Sequence, residues 1–461
     1  MKNFIREIAP YLLTRLMSNG GEFGEIFYER TYSTILKYED NRLSKAVEGI
    51  DEGVGIRLIK NGKTHYGYTS EINKENLELL VSTINSHEGE GKVKVGIEHL
   101  IGYSPAKIDP EDYFLKRKKE ILLTANDIVR SYDPHIKQAG ITLKDTKREI
   151  LIINTDGDIV EDTQIRVALY VEAIASDGKT LYRGYESAGG AIGYEFFQGD
   201  TINIIDYVAS KAAHRAVLGL NAKPAPLGSM PVIISSEAGG TMIHEAVGHG
   251  LEADLAEKGM SVYAGKIGEK VASEKITVID DGTIEGKMGS FNFDDEGIPA
   301  QRTVLIENGI LKGFMYDRLT AMQTGKNSTG NGRRDTYRNI PIVRMRNTFI
   351  APGQDNPHDF IKDTKKGLYV VKMGGGQVNT VNGDFMFEII EGYMIENGEI
   401  TYPIKGAALM GNGPKAMQDV EAVGYDIGWA IGTCGKNGQA APVGDAQPTI
   451  KIKSLIVGGN S

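Results

Sequence analysis

The stretch Met230-Pro231-Val232-Ile233-Ile234-Ser235-Ser236, leading into Ile243-His244-Glu245-Ala246-Val247-Gly248-His249-Gly250, decides how the chain is read. Its first five residues are an apolar, strand-like run, and serines are residues that cap helices. The pattern predicts that both histidines and the glutamate ride on a helix that follows a strand. Neutral imidazoles bind zinc, and a carboxylate beside the first is placed to take a proton from a water the metal has activated. The spacing is unusual. In His-Glu-x-x-His, i and i+4 share one helix face, whereas here the second histidine is at i+5, about 140° round an ideal helix. A regular helix would splay the rings apart. For both to serve one ion, the helix must end, or bulge in a π-type turn, between Val247 and Gly250, which Gly248 and Gly250 permit. The bland alternative is an amphipathic helix with two buried or surface histidines.

Outward from this motif, the second half is punctuated by turn dipeptides: Asp281-Gly282, Asn308-Gly309, Asn382-Gly383 and Asn397-Gly398. Between them lie short strand-like runs such as Thr303–Ile306, Leu368–Val371 and Phe385–Ile390. This grammar predicts antiparallel sheet, curled or barrel-like, with the histidine helix packed against it. Three stretches there could serve a site. Thr329–Asp335 predicts a flexible loop offering the guanidinium groups of Arg333 and Arg334 to a carboxylate or carbonyl, or simply a solvated loop. Gly374-Gly375-Gly376 would let an extended peptide approach a sheet edge, though a plain flexible loop fits as well. Cys434, in the glycine-flanked Gly432-Thr433-Cys434-Gly435-Lys436 turn, is either an inert small side chain or a ligand; two imidazoles need a further protein ligand, and a thiolate would complete a three-ligand site with a position open for water.

The first half reads as α+β with little visible chemistry. Apolar positions at Phe4, Ile5, Ile8, Leu12, Leu13 and Leu16 predict a helix over about 3–18. Gly24 to Tyr68 reads as antiparallel strands with an Asn61-Gly62 turn, and Ser70 to Asn85 as a helix capped by Ser70. A polar, Gly-rich connection around His87–Gly91 carries no assigned function. Pro110 to Tyr132 predicts a longer helix, Glu149 onward a meander of hairpins, and Thr201 to Leu218 a further helix. The Pro/Gly-rich stretch Asn221–Gly228 is the expected hinge, dividing the chain into residues 1–225 and 226–461. The scattered histidines, His65, His87, His99, His135, His214 and His358, read as ordinary surface or core residues, His214 being the least ordinary of them.

The chain has 461 residues, enough for two cores. Its net charge of −9 disfavours nucleic acid as a partner, because phosphate contacts need clustered cations. A single cysteine excludes an intrachain disulfide and fits a reducing compartment. With no secretory-type leader at Met1–Glu7 and no apolar run of membrane-spanning length, the expectation is a soluble cytoplasmic protein without a membrane partner.

His244-Glu245-Ala246-Val247-Gly248-His249-Gly250-Leu251-Glu252, Asp294-Asp295-Glu296-Gly297, Gly330-Asn331-Gly332-Arg333-Arg334, Gly374-Gly375-Gly376-Gln377 and Cys434-Gly435-Lys436-Asn437-Gly438-Gln439 together resemble the TldD branch of the TldD/PmbA family. These are metallopeptidases once described as modulators of DNA gyrase, and the resemblance covers nearly the whole chain. It implies zinc held by His244, His249 and Cys434, with Glu245 as general base, in a mostly antiparallel domain behind an α+β N-terminal domain. It further implies cleavage of unfolded peptides, and a homodimer or a heterodimer with a metal-free PmbA-type subunit. On this reading Glu252 and Asp254 orient the imidazoles and Arg333 or Arg334 stabilises an oxyanion. The alternative is a non-catalytic regulator or adaptor, of the gyrase-modulator type, with a structural metal.

Overall fold

The computed structural model describes residues 1–85, 98–199 and 203–459. The connection around His87–Gly91 and the expected helix start at Thr201 lie outside the described residues. Among those described, no helix is long and apolar enough to cross a membrane.

The first half is built on a seven-stranded sheet. Phe23–Glu39, Arg42–Lys60, Ile136–Asn154 and Asp158–Ser176 are its long strands and pair antiparallel. Lys63–Thr69 pairs beyond Arg42–Lys60, across an Asn61-Gly62 turn in which both residues have positive φ, as a tight hairpin turn requires. Leu181–Gly190 pairs antiparallel with Asp158–Ser176, and Glu98–Ile101 runs parallel to it. Side chains alternate across a strand, so Ile26 and Tyr28 share a face with Leu36 and Tyr38. That face is covered by four helices. Lys2–Leu16 and Lys74–Ile84 pack on one end, and Leu115–Tyr132 and Ile204–Asn221 on the other. Phe27, Ile150, Ile152 and Val160 point the opposite way, where Tyr337 and Phe293 of the second half meet them.

The helix boundaries correct the expectations in detail. Asn73 rather than Ser70 caps Lys74–Ile84, its side chain accepting from the Asn76 N–H, because the strand runs to Thr69 and a bend separates Ser70 from the helix start. The helix expected from Pro110 starts at Leu115, and the last helix of the half starts at Ile204 with Asn203 as its cap.

The second half is antiparallel in the main, and part of it closes into a barrel. Gly228–Ile234, Ile450–Gly459, Ala407–Asn412, Asp384–Glu396 and Lys366–Val378 pair in that order, and the last pairs back to the first, completing a five-stranded ring. Closure leaves this ring without a fully free edge. The barrel-like expectation is met, and within the ring only the closing contact, Leu368–Val370 against Val232–Ile234, is parallel. A second sheet runs Ile310–Leu311, Arg302–Glu307, Val278–Asp281, Asn347–Ile350, Gln439–Gln447, Gly428–Lys436. Met242, Ile243, Ala246 and Val247 sit in one apolar cluster with barrel residues such as Val370, Phe387 and Leu409. At about 1.5–3 kcal/mol for each large side chain taken fully from water, that anchoring holds the histidine segment against the barrel.

The halves are joined by buried charge. Glu25 lies between Arg57, 3.1 Å away, and Arg334, 2.5 Å away, all three being fully buried or nearly so. Arg57 also reaches Glu296 at 2.8 Å, and Arg148 of the first half meets Asp295 at 2.6 Å. The Asp294–Gly297 and Gly330–Arg334 segments singled out in the sequence are therefore the joint. This corrects the expectation of a flexible or solvated loop at Thr329–Asp335: Arg333 and Arg334 are 5% and 3% exposed.

Candidate metal centre

The histidine segment begins where Gly228–Ile234 leaves the barrel. Ser235 does cap, but it caps the short turn Ser236–Ala238; the helical segment proper starts at Thr241, after Gly240, without a side-chain cap. After Ile243 the backbone widens. His244–Gly248 forms a π turn in which the His249 N–H donates to the His244 carbonyl, and a 3-10 turn over His249–Leu251 ends the helix at Glu252. The widened turn brings the i+5 residue back over the first, as the spacing demanded. Gly248 permits it for a steric reason: a Cβ there would stand 2.2 Å from the Met345 sulfur.

Cys434 comes from the other sheet. It lies within the strand Gly428–Lys436, opposite Ala441, and is 4% exposed, which corrects the expectation of a turn at this position. The turn itself is Asn437-Gly438, three residues on, with both φ positive. The Cys434 sulfur is 3.5 Å from His249 Nε2, and the two imidazole rings stand edge to face with centroids 5.1 Å apart. The ligand-capable atoms of His244, His249 and Cys434 all lie within 4.8 Å of one another. Tetrahedral zinc with Zn–N of about 2.0–2.1 Å and Zn–S of about 2.3 Å sets its ligands roughly 3.3–3.8 Å apart, so the donor set fits that ion with small movements.

Each imidazole is oriented from outside. Asp445 Oδ1 is 2.7 Å from His244 Nδ1, and Glu252 Oε2 is 3.0 Å from His249 Nδ1. A carboxylate on Nδ1 holds the proton there and leaves Nε2 as the donor. Lys436 ties the cysteine hairpin to this arrangement, its ammonium reaching Glu252 Oε2 at 3.1 Å, Asp254 Oδ1 at 2.6 Å and the Val343 carbonyl at 3.0 Å. Asp254 thus holds Lys436 rather than an imidazole. Glu245 stands with Oε2 3.8 Å from His249 Nε2, its side chain 29% exposed.

The electrostatics suit a cation. Burial would raise the Cys434 thiol, but hydrogen bonds and charge from His244 and His249 outweigh it and bring it down to about 5. Burial would lower His249, yet Glu252 and the thiolate hold it at about 9; His244 is likewise raised, by Asp445 and Cys434 against burial. Burial pushes Glu252 up, and Lys436 and His249 bring it down to about 2. The thiol is thus lowered by both imidazoles and they are raised in part by it, and a divalent cation held by the three would displace the protons they share. Glu245 is raised by burial, with both imidazoles opposing.

The other candidates lie outside the metal centre. Arg333 gives its Nη groups to the Met345 and Pro442 carbonyls, and Arg334 gives its own to Glu25, Tyr66 and the Asp295 carbonyl. Gly374–Gly376 are part of the strand Lys366–Val378, at an irregularity in its pairing with Asp384–Glu396. His214 takes a hydrogen bond with the Tyr132 hydroxyl and stays exposed at 42%. Sequence reading missed Asp445 and Lys436. Parity about the Asn437-Gly438 turn was the available signal: Asp445 is opposite Ala430, which shares its sheet face with Cys434.

Known proteins resemble this chain along nearly its whole length. Models of the PmbA/TldA metallopeptidase family match domain 1 at residues 24–84, the central domain at 108–220 and the C-terminal domain at 227–459. A metalloprotease TldD homolog of Buchnera aphidicola is 37% identical, over 97% of this chain and 95% of its own. One from Haemophilus influenzae is 36% identical over 95% and 93%, and a zinc metalloprotease TldD homolog of Saccharolobus solfataricus 32% over 95% and 97%. Among solved structures, a Thermotoga maritima protein described as a modulator of a DNA gyrase superposes with a TM-score of 0.82 at 22% identity, covering 98% of this chain and all of its own. TldE from Thermococcus kodakarensis gives 0.75 at 20%, covering all of both. Matched in three successive domains, and by relatives of more than 30% identity along nearly its whole length, the chain belongs to the TldD/PmbA family of metallopeptidases.

Proposed function

We propose that this metallopeptidase is a zinc enzyme that hydrolyses unfolded or extended peptides, with His244, His249 and Cys434 as ligands and Glu245 as general base. The observation that carries the reading is the convergence of two carboxylate-oriented imidazoles and a thiolate beside a partly exposed glutamate. Zinc, when bound there, supplies a Lewis acid that polarises a carbonyl and lets water ionise near neutrality. Glu245 takes the proton of the attacking water and gives it to the leaving amine; burial, which raises its pKa, favours that second step. Asp445 and Glu252 hold the rings in place throughout.

The preference for extended peptides rests on the barrel. Past Val370 the strand Lys366–Val378 has no strand partner opposite Asp384–Glu396 among the described residues, so Gly375 and Gly376, which are not buried, present an open backbone edge. A Cβ on Gly375 would meet nothing within 4 Å. An extended chain can add to such an edge by main-chain hydrogen bonds, which ask little of its sequence. The likeness to TldE supports a second subunit of the same fold, identical or related, as partner.

The test is metal analysis of the purified protein together with cleavage of a disordered peptide. Wild type should hold one zinc and cleave; Cys434→Ser should lose most of the metal, and Glu245→Gln should keep it while cleavage falls by at least about 10²-fold. Full zinc in Cys434→Ser would remove the thiolate from the site, and undiminished cleavage in Glu245→Gln would remove the base.

A further inference from the structure

Behind the strand that carries Cys434 lies a cavity of about 420 Å³, walled by both halves of the chain. Alternation along Gly428–Lys436 turns Cys434 to the histidines and Thr433 to this cavity. Most of the charged groups around it are spoken for. Arg148 is held by Glu29 and Asp295, Arg334 by Glu25, Asp145 by Lys118 and the Tyr194 hydroxyl, and Asp51 by Arg338. Lys144 and Asp335 are exposed to water.

Arg166 and Arg333 differ from all of these. They are 7% and 5% exposed, and among the described residues neither has a carboxylate within ion-pair distance. Arg166 donates to the carbonyls of Met288 and Ser290 and to Gln164 Oε1, and Arg333 to the carbonyls of Met345 and Pro442. A guanidinium has five N–H donors, so both keep some unused. Asp295 acts on both, and Asp162 on Arg166, only from beyond ion-pair distance, Asp295 being bonded to Arg148 through Oδ1 and to the Arg334 N–H through Oδ2. Burial, together with Arg148 beside Arg166 and Arg166 beside Arg333, outweighs these carboxylates and lowers the two groups to about 10 and about 9. Two buried cations without a paired carboxylate are costly to keep unless something anionic joins them.

We infer that the cavity is an anion subsite, in which Arg166 and Arg333 receive a carboxylate of the bound peptide. Planar guanidinium groups match a carboxylate's two oxygens, and burial strengthens such a pair relative to water. The carboxylate is either the peptide's own C-terminus or an Asp or Glu side chain. That the ligand is a peptide rests on the peptidase reading; the preference for an anion rests on the cavity alone.

The test uses zinc-loaded Glu245→Gln protein and three disordered peptides of one core sequence: a free C-terminal acid, the C-terminal amide, and the amide carrying one Glu. Calorimetry should show the acid, or the Glu-bearing amide, binding at least about tenfold tighter than the plain amide. Preference for the acid assigns the terminal carboxylate, and preference for the Glu peptide assigns the side chain. Arg166→Gln and Arg333→Gln should narrow the difference to about twofold or less, with Arg333→Lys retaining part of it. Should the Gln variants fail to fold, the three peptides on the parent protein still decide. Equal binding of all three there overturns the subsite. Failure of wild type to cleave, with the preference intact, overturns the peptidase reading and leaves the subsite standing.

Discussion

Asp445 and His244 meet at 2.7 Å across 201 residues of chain, the carboxylate fixing the imidazole through Nδ1. Asp445→Asn keeps the shape and removes the charge. Zinc affinity, measured by competition with a chromophoric chelator, should fall about 10- to 100-fold. An unchanged dissociation constant would mean that His244 needs no such support.

Lys436 holds two acids, one of them the fully buried Glu252. Lys436→Met leaves Glu252 with His249 alone and Asp254 without its ammonium, and breaking a buried ion pair by removing one partner costs about 3–5 kcal/mol. Chemical denaturation should report a loss of that order. Little change would show that the pair is compensated elsewhere.

Gly248→Ala places a methyl against the Met345 sulfur. Overpacking of this kind costs about 1–3 kcal/mol. Because the clash is with one flexible side chain, the double variant Gly248→Ala, Met345→Ala should regain zinc uptake lost in the single one. If the double variant binds no better, the π turn itself rejects the substitution.

Asp317, which caps Arg318–Thr324, is raised from 3.8 to about 7 by burial and by the charge of Glu296. Between those pH values the folded chain keeps a proton that the unfolded chain releases, so this group's contribution is full below pH 4 and is lost as pH rises to 7. Asp317→Asn should remove the slope. Its melting temperature should gain on wild type from pH 4 to 7 and run parallel above. A constant difference across that range would contradict the assignment.

What could be read in advance followed from local grammar. His-Glu-x-x-x-His demanded a distorted helix, and the glycines showed where; alternation and Asn-Gly turns marked the antiparallel sheets and, in the second half, a curled form. What escaped depended on long-range pairing. Asp445 is brought to His244 by a hairpin, so finding it takes counting residues across the Asn437-Gly438 turn and not the pattern of either strand alone. Arg333 and Arg334 read as a solvated loop because charge and glycine signal exposure; Arg334 is buried against the Glu25 carboxylate, 309 residues upstream, and Arg333 against the Met345 and Pro442 carbonyls, partners that local sequence does not show. Ring closure of the barrel likewise rests on three residues of parallel contact that carry no signature of their own.

The burial of Glu25 between Arg57 and Arg334 also bears on how the molecule is made. Arg334 is 309 residues downstream of Glu25. At roughly 5–20 residues per second, a ribosome delivers it about 15–60 s after the acid has emerged. Through that interval the opening sheet has the face around Phe27 bare and a carboxylate short of one of its cations. The nascent first half is therefore a waiting partner, settled only when synthesis has passed the joint, and interruption of translation before residue 334 should yield a fragment that chaperones retain.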